Sequence, residues 1–230
     1  MAEPAPAPTD PQPPNTISLR APSKYLADPS KPAPTTLDDE PFVAPPLAWL
    51  RRTWAVTHST LRMWRSARNV RITYRPYDKP GSSSDPATND NLVEYEHRGG
   101  GKDDKVKRVE GVEKPDPKIP SAWTWRGKGL LAIASSHWEV LGWGERPLLA
   151  VGDMGDGVER WAVTWFAPTV FTQEGVDIYS DRREGLSKET VDGIIKALKE
   201  LRDAPKLVEL VEKSMQEVEI SLPWKKGKES

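Results

Sequence analysis

The chain has 230 residues, with 33 Lys and Arg against 34 Asp and Glu. That balance argues against the basic field that nucleic acid demands. Cysteine is absent, which excludes a disulfide framework and a thiolate metal site and makes a reducing compartment, the cytoplasm, the expected location.

Residues 1–45 read as a disordered Pro-rich tail. Thirteen of the chain's 23 prolines lie between Pro4 and Pro46, among Ala, Ser, Thr and Asp. Proline fixes φ and removes backbone donors, and the stretch has too little apolar content to offset its ordering entropy. Its polyproline character makes it a candidate docking segment for a protein partner. Met1–Asp10 has neither the basic start nor the apolar run of a secretory leader. No apolar run of about 18 residues occurs, so no transmembrane helix is expected. One domain over 46–222 and a basic tail over 223–230 complete the division.

After Pro46 the texture becomes that of a β protein. A short lead with Trp49 and Leu50 runs into a first strand at Trp54 and Val56. Asn69–Tyr77 alternates Val70, Ile72 and Tyr74 with Arg71, Thr73 and Arg75, the period of a half-buried strand. Leu92–His97 follows a turn-rich loop, and Lys105–Glu113 follows a glycine-rich one. A change of phase at Gly111 predicts a bulge there. Three aromatic strands come next, over Ala122–Lys128, Ile133–Trp143 and Arg160–Phe166, and Gly175–Ser180 is the eighth. Sequential strands with short links and no intervening helical pattern predict an up-and-down antiparallel meander. Eight is the number at which such a meander closes around side chains or one small ligand.

The period then changes. Val191, Ile194, Ile195, Leu198 and Leu201 form the stripe of an amphipathic helix capped by Ser187. Pro205 interrupts it, Lys206–Met215 is a second apolar-periodic piece, and Val218–Leu222 reads as a last short strand. The predicted fold is therefore all-β: an eight-stranded barrel with a C-terminal helix on its outside, preceded by the tail.

This order of elements, with two local motifs, resembles the lipocalins of the calycin superfamily, and most of all the disulfide-poor bacterial and plant members. Arg52-Thr53-Trp54 stands where that family has Gly-x-Trp at the start of the first strand. Ile178-Tyr179-Ser180-Asp181-Arg182-Arg183, followed by Leu186-Ser187-Lys188-Glu189, is similar to its last barrel strand and the capped helix after it. The resemblance implies that Trp54 closes the narrow end of the barrel with Arg182 packed over its ring, Arg183 being the rival. Arg52 in place of the family's glycine is a departure.

The ten Trp residues supply the candidate ligand wall. If Trp54 faces inward, so do Val56 and His58. The same reasoning adds Ile72, Tyr74, Trp125, Trp138, Val140, Trp161 and Trp165. An aromatic lumen suits a planar or long-chain apolar ligand, which makes carriage of a small hydrophobic molecule, lipid binding included, the first reading. The bland alternative is a barrel filled by its own tryptophans. Haem binding by a lone histidine among His58, His97 and His137 is open, as is an isomerase or cyclase acting on an apolar metabolite in the same barrel. No metal-ligand spacing, catalytic residue or required cofactor is read from the sequence. His137 and Glu139 point together, but away from the lumen if Trp138 points in. Paired ionisable groups inside the barrel would favour catalysis, and a purely apolar lining carriage.

Overall fold

The eight alternating runs become eight strands because each has one face to bury and short turn-rich connections to its neighbours. A computed structural model describes residues 11, 13–29, 34–36, 40–78, 85–99, 105–148, 157–169 and 172–225. The strands are β1 (Thr53–Ser59), β2 (Ala67–Pro76), β3 (Asn89–His97), β4 (Lys107–Pro115), β5 (Ala122–Gly127), β6 (Ser135–Pro147), β7 (Val158–Phe166) and β8 (Gly175–Ser180). Each pairs antiparallel with the next, and β1 pairs with both β2 and β8, so the sheet closes. Closure removes the open edges of the meander.

Three register shifts set which side chains point inward. They fall between Val56 and His58, Arg68 and Arg71, and Val140 and Gly142. The expected bulge at Gly111 is not among them, because β4 stays in regular register with both neighbours there. Gly111 serves a packing need instead. A Cβ at this position would lie 2.0 Å from Trp125 Nε1, so only glycine lets the indole lie flat against β4.

Two apolar clusters lie on opposite sides of the wall. The inner one gathers Trp54, Val56, Val70, Ile72, Tyr74, Trp123, Trp138, Val140, Ala162 and Tyr179. The outer one joins Leu141, Trp161, Val163, Trp165, Val176 and Ile178 to the helices α2 (Lys188–Lys199) and α3 (Pro205–Ser214) through Ile194, Leu198, Leu207 and Val211. Ser187 caps α2 by accepting from the Thr190 N–H, as expected. Pro205 opens α3 at its first turn, where its missing N–H costs nothing. The final strand β9 is Gln216–Glu217, paired with His58 and Ser59, rather than 218–222.

The proline-rich segment was expected as a disordered tail. Residues 1–10, 12, 30–33 and 37–39 lie outside the described residues, as do 226–230 of the basic tail. The described part around residues 17–23 packs on the barrel. Leu19 is fully buried, and Arg20 N–H donates to the Leu141 carbonyl. Arg20 is a buried cation that pairs with Glu139 at 2.8 Å, while Ser23 donates to the same carboxylate from both its backbone N–H and its hydroxyl. Gly142 and Gly144 allow this approach: a Cβ on either would meet Leu19 or the Pro14 carbonyl within 2.5 Å.

A short helix α1 (Leu47–Leu50) covers the end of the barrel where β1 begins. The 3-10 turn Arg62–Ser66 lies at the opposite end.

Candidate functional site

The lumen is built from the inward faces of all eight strands, and aromatic rings dominate its middle. Trp138 of β6 stacks on Tyr74 of β2 at 5.4 Å and 18° and on Trp123 of β5 at 4.6 Å and 20°. Phe166 of β7 continues the stack at 6.4 Å. Trp54 lies between Trp49 and Tyr179, with ring centroids 5.1 Å and 6.3 Å away.

The same lumen carries polar groups. Asn89 and Glu113 are register partners on β3 and β4, both buried and inward. Arg51 Nε donates to Asn89 Oδ1 at 2.9 Å, which fixes the amide and leaves Nδ2 facing the Glu113 carboxyl. The Trp138 indole N–H faces that carboxyl too. Neither closes a hydrogen bond: Asn89 Nδ2, Trp138 Nε1 and Glu113 Oε2 all lack partners. Burial therefore pushes the Glu113 carboxyl well above the usual carboxylate range, against the opposing influence of its two neighbours. Trp123 Nε1 is likewise buried without a partner, and the Tyr179 hydroxyl faces Thr164 and Tyr74 without closing a hydrogen bond. Burial raises both Tyr74 and Tyr179 well above the usual phenol range.

A second carboxyl sits nearer the Arg62–Ser66 turn. Asp177 of β8 accepts from Ser59 Oγ at 2.5 Å and from Trp64 Nε1 at 3.4 Å. Burial raises it to about 7, partly offset by those two donors and the nearby Arg65. Because Trp64 belongs to the turn, Asp177 ties that turn to the barrel wall.

At the other end the expected closure is present with a different cation. Trp54 is fully buried and its indole N–H donates to the Leu50 carbonyl. Arg52 lies over both Trp54 and Trp49, at 5.5 and 5.2 Å, and pairs with Asp181. Arg182 does not reach the ring, since its guanidinium faces Glu184 at 3.9 Å, and Arg183 packs on Trp224. Arg52 precedes Trp54 by two residues, so both side chains leave the same face of the chain, and Arg182 is displaced from the role.

Of the ten predicted wall residues, Trp54, Val56, Ile72, Tyr74, Trp138 and Val140 are buried in the inner cluster, and Trp125 packs against it half-buried. His58, Trp161 and Trp165 are corrections. The register shift after Val56 turns His58 outward, toward Glu217 and Asp192. Trp161 and Trp165 share one face of β7, as expected, but that face lies under α2 and the N-terminal segment. Ala162, Thr164 and Phe166 are the inward residues. Sequence reasoning missed Trp123, Glu113, Asn89, Asp177 and Tyr179. The last two were legible in Gly175–Ser180, where Asp177 and Tyr179 alternate with Val176 and Ile178.

None of the three histidines is buried in the lumen. His58 and His137 point outward, and His97 is exposed at the rim. His137 Nε2 meets Glu139 at 3.2 Å on the outer wall, as the inward Trp138 requires. That carboxylate faces Arg20 and Ser23 rather than solvent. Among the described residues no group of three potential ligands could hold a metal ion.

The described strands form a closed eight-stranded up-and-down antiparallel barrel with an amphipathic helix on its outer wall, the architecture expected from the sequence. No family model matches the sequence, and no curated protein matches it. Among solved structures the chain is similar to apocrustacyanin C1, at 12% identity and a TM-score of 0.43 over 74% of this chain and 77% of that one. It is also similar to lobster apocrustacyanin A1, at 11% and 0.40 over the same shares. A third is japanin from Rhipicephalus appendiculatus bound to cholesterol, at 9% and 0.37 over 75% of this chain and 94% of that one. Likeness at this level carries no argument about ligand or residue roles. No described helix is long and apolar enough to cross a membrane.

Proposed function

We propose that the protein binds and carries a small, largely hydrophobic molecule in the barrel lumen, within the cytoplasm. The observation that carries the reading is an aromatic lumen with partnerless polar atoms on Asn89, Glu113, Trp123, Trp138, Thr164 and Tyr179. A buried polar group left unsatisfied costs about 1–3 kcal/mol, so a set gathered on the inner wall favours a ligand that bonds to it. Apolar surface on the ligand contributes about 25 cal/mol per Å² buried, before ordering costs. The cysteine-free composition supports a reducing compartment.

One observation favours an enzyme on the same scaffold. Asp177, raised to about 7 and close to Tyr179, has the protonation balance of a general acid–base. Carriage is the better reading because both Asp177 oxygens are engaged, by Ser59 and by Trp64.

The test is titration of tryptophan emission with fatty acids, retinoids, sterols and haem. Saturable quenching at micromolar ligand, lost in Trp138→Ala and kept in the outward Trp165→Ala, is the expected result. A folded protein that responds to none of the ligands overturns the reading.

A further inference from the structure

The inner wall of the lumen holds the carboxyl groups of Glu113 and Asp177; neither forms an ion pair among the described residues, and Arg65 is the cation within electrostatic reach of Asp177. The arginines near the wall are committed elsewhere. Arg51 bonds to Asn89 Oδ1 and the Pro86 carbonyl, Arg52 to Asp181 and the Trp49 carbonyl, Arg71 to Glu94. Beside Glu113 lies the Trp138 indole, stacked between Tyr74 and Trp123, with its N–H edge toward the carboxyl. From the elements packed around it, Glu113 is faced by Asn89 and Trp138, with Asp90, Tyr74 and Tyr179 within electrostatic reach.

We propose that the lumen selects an aromatic or otherwise apolar amine, and that Glu113 receives its protonated nitrogen. This deepens the lumenal-binding reading above and rests on it. An ammonium N–H fills the open acceptor at Glu113 Oε2 and supplies the missing positive charge. The carboxylate so formed attracts the Asn89 and Trp138 N–H groups that face it more strongly than the neutral acid does. A neutral hydroxyl ligand leaves the carboxyl protonated. An anionic ligand meets two carboxyl groups in a low-dielectric space.

The experiment is calorimetric titration of the full chain with tryptamine, tryptophol and indole-3-acetate, which share one ring system and differ in the terminal group. Tryptamine is expected to bind at least about tenfold more tightly than tryptophol, with indole-3-acetate weakest. Glu113→Gln is expected to abolish that preference, so that tryptamine no longer binds more tightly than tryptophol. Wild-type titrations at neutral pH in two buffers of different ionisation heat need no variant: tryptamine binding releases a proton and tryptophol binding does not. Tryptophol binding as tightly as tryptamine, or equal proton release, overturns the amine proposal and leaves lumenal binding standing. Failure of all three indoles while a fatty acid or sterol still quenches the tryptophans does the same. Failure of every ligand overturns both.

Discussion

The Arg52 guanidinium lies 5.5 Å from the centroid of the Trp54 ring, so the cation that closes the barrel comes from the same strand edge as the tryptophan it covers. Arg52, which stands in place of the glycine of the motif it resembles, is the residue that covers the ring. Arg52 also covers Trp49, donates from Nε to the Trp49 carbonyl at 2.6 Å and faces Asp181, which binds β1 to the end of β8.

Replacing this residue tests the assignment directly. Arg52→Ala is expected to lower the unfolding free energy by about 1–2 kcal/mol, through lost ring contacts and a lost ion pair. Arg182→Ala, whose nearest carboxylate is the exposed Glu184, is expected to cost less than about 0.5 kcal/mol. Denaturant titration of both variants checks the difference, and equal losses would contradict it.

The Arg20–Glu139 pair predicts behaviour in acid. Burial raises the Glu139 carboxyl, but His137, Arg20 and Ser23 together overcome this and hold it at about 2. An acid with a depressed folded pKa contributes stability that is present above its unfolded value, near 4.5, and is lost as pH falls toward 2. The contribution is on the order of 3 kcal/mol. Glu139→Gln is expected to flatten the acid limb of the stability curve. Arg20→Ala strands a buried carboxylate and is expected to cost about 3–5 kcal/mol at neutral pH.

Asp177 predicts the opposite slope. Its folded value, about 7, exceeds that of an unfolded aspartate, so folding favours the protonated form. Stability from this residue is full below about pH 4 and declines as pH rises to about 7, by up to about 4 kcal/mol. Asp177→Asn is expected to remove this decline and to keep Ser59 and Trp64 in place. Thermal unfolding of the two proteins across that window is the measurement; parallel curves would sink the idea.

Gly111→Ala is expected to destabilise the protein by about 2–3 kcal/mol. The new methyl group overlaps the Trp125 indole, whose N–H bonds to Asn91 Oδ1 at 3.2 Å, so the ring must leave both partners. Gly99→Ala meets no neighbour within 4 Å and carries only the strain of its φ of +77°. The emission spectrum should shift in the first variant and hold in the second.

Much of the barrel was readable because strand alternation, turn chemistry and the helical stripe from Val191 to Leu201 are local patterns. All eight strands and the Ser187 cap fall where those patterns put them. The site was readable only in part. On β7 both faces are apolar, Trp161, Val163 and Trp165 against Ala162 and Phe166, so alternation identifies two faces without saying which is inner. Bulk pointed to the tryptophans, and the helix covering the outer wall reverses that choice. His58 moved for another reason, a register shift of one residue, which no periodicity marks.

The sequence by itself determined an eight-stranded meander, a capped helix after it and a cysteine-free chain, since each follows from period, turn residues or composition. The tertiary structure alone decided that residues around Leu19 and Arg20 lie on the wall, that Arg52 closes the barrel, and that Glu113 and Asp177 are buried inside it. Those facts depend on which distant segments meet, and the burial of a charged group is fixed by what surrounds it rather than by its neighbours in the chain.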